Sequence, residues 1–172
     1  MLDHTVVQCD VYPLMFLYGD IRTVKLLINN GTNFHVLDKN GANLMHYAVE
    51  SINHHDIVQL LLENKVDVNV SSDVVGTPLH RAVYKNLLFT VSLLVDNNAD
   101  ISKGDRYGRN PFVAAINMDW GITDYSCMNY LLSQKSLDIN QVDLEGQTLY
   151  YPEATYSLLN IPRFGMNLLH RR

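Results

Sequence analysis

Apolar residues in the middle of the chain fall into short stripes of helical spacing, each followed by a break and a second stripe. Leu79, Ala82 and Val83 make one stripe. Val91, Leu93, Leu94 and Val95 make the next, with Asn97 and Asn98 behind it as helix stops. The first stripe opens on GTPLHRAV, residues 76–83. Thr77 is placed to cap a helix, and Pro78 sits at the first helical position, where its missing N–H costs nothing. The pattern predicts two short helices joined by a tight loop, then an extended finger running into another turn.

This arrangement repeats. With Thr77 as marker, GANLMHYAV puts Asn43 in the same slot, GRNPFVAAI puts Asn110 there, and GQTLYY puts Thr148 there. The interval is about 33 residues, and such periodicity is the mark of a repeat array. The second stripe recurs in phase, in TVKLLINNGTNFH, IVQLLLENKVDVN, TVSLLVDNNADIS and CMNYLLSQKSLDIN. Asp38, Asp105 and Asp143, each three residues before a glycine, supply turn chemistry: a short acceptor, then a residue free to take positive φ. Small residues in one slot, Ala48, Ala82 and Ala115, let paired helices approach closely. His46 and His80 share a slot at the start of the first helix, where an imidazole can bond backbone groups and tie one unit to the next.

The succession D-x-x-G-x-T-P-L-H-x-A, then I-V-x-x-L-L, then a finger ending in Asn resembles the ankyrin repeat over residues 12 to 150. The resemblance implies an all-α repeat solenoid of four to five units, irregular at both ends, with helix-turn-helix pairs and β-hairpin fingers. One domain over 1–172 is expected, with units near 5–37, 38–72, 73–104, 105–142 and 143–172. Each unit departs from the pattern somewhere. The first lacks two residues between Pro13 and Leu26, and the second has one extra in ESINHHDIV. In the third, Asp73 is one residue closer to the cap than its counterparts, which predicts a shorter finger. The fourth carries an insertion holding Trp120 and Tyr125, and the fifth has Pro152 where a helix needs an N–H.

Composition narrows the function. The chain has 172 residues, a formal net charge of −5, 47% hydrophobic and 18% charged residues. That is an ordinary folded composition without the basic field of a duplex binder, so no nucleic-acid partner is expected. Two cysteines, Cys9 and Cys127, make no disulfide framework and suit a reducing compartment. No apolar run reaches membrane-span length. A cytoplasmic or nuclear monomer, not bound to membrane, is expected. No phosphate loop, nucleophile elbow or zinc signature occurs, so neither enzyme activity nor a cofactor or metal is expected. His54 and His55 adjoin in an inter-helix loop; a metal-dependent site there is the remote alternative to two solvated loop residues.

Ankyrin-like proteins usually bind other proteins along the fingers and first helices, and the resemblance implies the same face here. Lys39, Asn40, Val74, Val75, Arg106 and Tyr107 are the finger candidates. Val74 and Val75 stand out because adjacent apolar residues at a turn tip gain nothing from exposure. Tyr47, Glu50, Ser51, Arg81, Tyr84, Lys85, Asn117 and Met118 should continue that surface. Trp120 either packs against its loop or anchors a partner. Asn69 and Asn140 match the slot that asparaginyl hydroxylases modify in ankyrin-like proteins; the structural alternative is an Asn bonding its own hairpin. The expected function is non-catalytic binding of another protein, as an inhibitor of a signalling or transcription protein. A ubiquitin-ligase substrate adaptor and a fragment of a larger scaffold are the alternatives.

Overall fold

The computed structural model describes residues 20–31, 33–116, 124, 126–137, 141, 142, 144 and 146. Trp120, Tyr125, Asn117, Met118, Asn140 and Thr148 lie outside the described residues, as do the first helix of the first unit and Pro152. Among the described residues the chain forms α1 (Ile21–Asn29), α2 (Leu44–Glu50), α3 (His54–Glu63), α4 (Pro78–Tyr84), α5 (Leu88–Asp96), α6 (Pro111–Ile116) and α7 (Ser126–Ser133). Helices α2 and α3, α4 and α5, and α6 and α7 pack as pairs. First helices stack in the row α2, α4, α6, and second helices in the row α1, α3, α5, α7.

Each first helix starts where the stripe and cap predict. The Asn43 side chain accepts the Met45 N–H (3.1 Å), Thr77 accepts the His80 N–H (3.4 Å), and Asn110 accepts the Val113 N–H (2.8 Å). Second helices exit through left-handed residues: φ is 71° at Gly31, 59° at Lys65 and 67° at Asn98. The core runs through both rows without interruption. Leu44, Met45, Ile57, Leu61, Leu79, Leu94, Phe112 and Leu131 are fully buried, and Ala48 and Ala82 sit among them. The extra residue of the second unit lengthens α3 to 10 residues against 9 in α5.

Two expectations about the fingers are corrected. Among the described residues the fingers are tight turns, not extended hairpins, with one isolated antiparallel bridge between Ser72 and Gly76. Nor is the third finger shorter than the others. Asp38 N–H donates to the Ala42 carbonyl (2.8 Å), Asp105 N–H to the Arg109 carbonyl (2.9 Å), and Ser72 N–H to the Gly76 carbonyl (2.8 Å). Ser72, five residues before the cap, therefore holds the slot that Asp38 and Asp105 hold. What differs is the glycine, one position later in the third finger. Its φ is 72° at Gly76, where the other two fingers use Gly41 and Gly108.

The imidazole ties are present as expected. His80 Nδ1 accepts the Thr77 backbone N–H (3.1 Å), which leaves Nε2–H to donate to the Arg109 carbonyl of the following turn (2.8 Å). His46 repeats this with Asn43 N–H (3.1 Å) and the Gly76 carbonyl (2.9 Å). Burial is the main force pushing both rings below the usual histidine range, outweighing the carbonyl acceptors that favour the cation. A lowered folded value means the unfolded chain binds more protons as pH falls through about 6.5. Stability should therefore be full above that pH and decline below it, by at most about 1.4 kcal/mol per pH unit for each ring. Asp38 and Asp105, also lowered, add their loss only below their ordinary value of 3.8. Urea unfolding measured between neutral pH and pH 5 checks this. A flat profile over that window would show that the rings are not held neutral.

Candidate protein-binding site

The finger turns bring backbone and side chains into a fixed frame. In the fingers of the second and fourth units, an Asp side chain folds over its own turn. Asp38 Oδ1 accepts the Asn40 and Ala42 N–H groups (2.8 Å each), and Asp105 Oδ1 accepts those of Tyr107 (2.8 Å) and Arg109 (3.0 Å). Ser72 Oγ accepts the Val75 N–H (3.2 Å) in the third unit's finger. Neighbouring fingers are also joined. Asp73 N–H donates to the Asn40 carbonyl, and Leu144 N–H to the Tyr107 carbonyl (2.9 Å each). Between those two links the connection runs through a side chain, as Arg106 Nη1 donates to the Asp73 carbonyl (3.2 Å).

At that junction a hollow of about 300 Å³ opens between the third and fourth turns and helix α4. Val74, Val75, Arg81, Tyr84, Arg106 and Tyr107, all anticipated from the sequence as contact residues, line it together. Val74 is 64% exposed, Tyr107 45% and Tyr84 42%, while Val75 is half-buried. The Arg81 guanidinium lies 5.1 Å from the Tyr84 ring centroid, and those of Arg106 and Arg109 each lie 4.6 Å from that of Tyr107. Asp105 and Arg109 also line the hollow and were not singled out as contacts. Their spacing in DRYGR was the available signal, and it yields an ion pair (Nη2–Oδ2 2.7 Å). Burial works to raise the Asp105 carboxyl, but the Arg109 bonds and the turn N–H groups hold it below the usual carboxylate range.

The other expected contacts belong to the preceding unit. Lys39 is exposed and Asn40 half-buried at its finger. Tyr47 packs partly against the core and its hydroxyl donates to Asp38 Oδ2 (2.6 Å); burial first, then this carboxylate, push the phenol up to about 12. Glu50, at the end of α2, accepts from Arg81 Nε and pairs with Lys85 Nζ (2.7 Å), joining two units. Ser51 is a correction: it is 3% exposed and adds nothing to the surface, since it caps the end of α2, its N–H donating to the Ala48 carbonyl and its Oγ accepting the Asn53 N–H (3.3 Å).

Two other expectations also change. His54 is no solvated loop residue. It begins α3 and its Nδ1 meets Thr90 Oγ1 on α5 at 2.8 Å, while His55 is exposed. No group of three His, Cys, Asp or Glu capable of holding a metal occurs among the described residues. The Asn69 side chain does not bond its own hairpin. Its Nδ2 donates to the Asn98 carbonyl (2.9 Å) and its Oδ1 accepts the Asp100 N–H (2.8 Å), both in the following unit. Cys127 is buried, and that burial, with Asp124 second, pushes its thiol up to about 11.

Comparison with known proteins agrees with this architecture. A family model described as ankyrin repeats in three copies matches residues 5–72, and one for a single ankyrin repeat matches 76–106. The chain belongs to the ankyrin repeat family. Palmitoyltransferase AKR1 of Lachancea kluyveri is 32% identical over 142 residues, which is 80% of this ankyrin chain and 19% of that protein. Fowlpox virus ankyrin repeat protein FPV024 is 36% identical over 113 residues, 65% of the chain and 17% of its own length. A second, FPV034, is 29% identical over 98 residues, 57% of the chain and 23% of its own length. The ankyrin chain thus spans about a fifth of the length of these curated relatives. Ankyrin repeats are generally protein-interaction modules, and such repeat domains are generally non-catalytic. Among the described residues no helix is long and apolar enough to cross a membrane.

Proposed function

We propose that this ankyrin chain is a non-catalytic module that binds another protein on its finger and first-helix side, centred on the hollow between the third and fourth turns. One observation carries the reading: six residues that the repeat pattern puts on the finger and first-helix side line one hollow. A surface held by capped turns and stacked helices loses little conformational freedom on binding, so more of the contact energy appears as affinity. Tyr84, Tyr107, Arg81 and Arg106 are of the residue types enriched in binding hot spots, and exposed Val74 adds apolar area beside them. The bound protein is a signalling or transcription protein that the module inhibits. A second reading, a section of a larger ankyrin scaffold, draws on the small share of its relatives' length that the chain spans. It would use the same face.

Val75→Asp should change unfolding free energy by less than about 1 kcal/mol, as a partly exposed turn position away from the core. It should weaken a captured partner at least about tenfold. Phe89→Asp, at a position 77% exposed on α5, should leave both stability and capture unchanged. The measurement is quantitative affinity capture from cell extract with both variants, beside their melting curves. Equal weakening by the two substitutions would put the contact face elsewhere.

A further inference from the structure

We infer that the hollow receives an acidic segment of the partner polypeptide, a carboxylate being taken by Arg81 and Arg106. This inference rests on the protein-binding reading above and names the chemistry of what is bound. Three guanidiniums but one carboxylate line the hollow, in a chain whose formal net charge is −5. The local excess of charge is therefore opposite in sign to that of the molecule. Arg109 is occupied: its Nε and Nη2 both donate to Asp105 Oδ2 (3.0 and 2.7 Å). Arg81 is only partly occupied, since its Nε donates to Glu50, which also serves Lys85. Arg81 Nη1 and Nη2 meet no acceptor among the described residues. Arg106 spends its Nη groups on neutral acceptors, the Asp73 carbonyl and the Tyr107 hydroxyl, and forms no ion pair among the described residues.

Two planar cations without full counter-charge are thus presented from different elements, one from α4 and one from a finger. Their ring partners, Tyr84 and Tyr107, restrict the guanidinium planes before anything binds. A guanidinium fork matches a carboxylate in shape as well as charge. Val74 alongside suits an apolar residue next to the acid in the bound segment. A nucleic acid is disfavoured by the same charges. Long-range repulsion from a net negative chain opposes a polyanion, and the few cations here release few counterions.

The full chain is read against an immobilised array of short random-sequence peptides, and the best binders are re-measured by fluorescence anisotropy. Peptides pairing Asp or Glu with an apolar neighbour are expected to be enriched. Replacing their acids by Asn or Gln should weaken binding about tenfold or more, and so should Arg106→Gln in the protein. Arg106→Lys, which keeps the charge but not the fork, should recover part of the loss, and added salt should weaken the wild-type complex. Arg106 is exposed, so its variants are expected to keep the wild-type melting curve. Enriched peptides that lack acids, or that ignore Arg106→Gln while failing against Val75→Asp, would overturn the acidic segment and leave the binding module standing. Acidic peptides unaffected by both Val75→Asp and Arg106→Gln would overturn the two together. An array without enrichment, or an Arg106-dependent complex with a single-stranded oligonucleotide in place of peptide, would also overturn the acidic segment.

Discussion

Leu79→Ala is expected to lower the unfolding free energy by about 2–5 kcal/mol. Leu79 is fully buried on α4, the first helix that packs against its counterparts on both sides, α2 and α6. Removing its branched end takes apolar contacts from the continuous core that both helix rows share. The backbone can do little to fill the space, because the flanking small residues Ala48 and Ala82 already bring the helices close. Part of the loss is the transfer free energy of the deleted groups and the rest is the residual cavity, which is why the range is wide. Chemical denaturation of the purified chain measures it. A cost below about 1 kcal/mol would mean that the repeats do not share one continuous core.

Gly76→Ala should be the other severe change, for a different reason. A residue with a β-carbon at φ 72° costs on the order of 1–3 kcal/mol wherever it occurs. Here the added carbon would also lie 2.9 Å from His80 Cγ and 3.0 Å from Asp105 Cβ. The imidazole cannot swing away without leaving the Arg109 carbonyl and the Thr77 N–H unbonded, and buried orphan groups are expensive. Gly41→Ala is the control: φ is 76°, but its nearest contact would be an ordinary 3.5 Å to the Ser71 carbonyl oxygen. The difference between the two variants in thermal or urea unfolding isolates the crowding from the backbone strain. If both cost the same, the close approach to His80 carries no energetic weight.

What could be read from the chain was whatever repeats. The caps at Asn43, Thr77 and Asn110, the helix exits and the imidazole ties recur at one interval, so each position tests the others. Departures from the repeat were harder. Asp73 draws the eye as the turn acidic residue, yet Ser72 has the correct distance from the cap, and only the backbone bond to Gly76 decides between them. The side-chain partners of His54 and Asn69, Thr90 and Asn98, lie in the following unit, where local position in the sequence does not point. Ser51 looks polar and accessible in a string of letters, but it caps α2 and is buried there. For the contact face, sequence position was enough to nominate Val74, Val75, Arg81, Tyr84, Arg106 and Tyr107. That they meet around one space follows from three-dimensional packing, and Arg109 joined them unnoticed.

The side-chain link from Arg106 to Asp73 has a mechanical consequence. Where the flanking turns are sewn by peptide groups, this seam is sewn by a long, solvent-reached guanidinium, which can let go and re-form without disturbing the helices. Among the described turns this seam, whose other tie is the His80 imidazole on the Arg109 carbonyl, should therefore bend most readily, and an incoming chain that draws Arg106 away should loosen it. Relaxation dispersion at the amides of residues 105–109, set against those of 38–42, would show whether the motion is concentrated there.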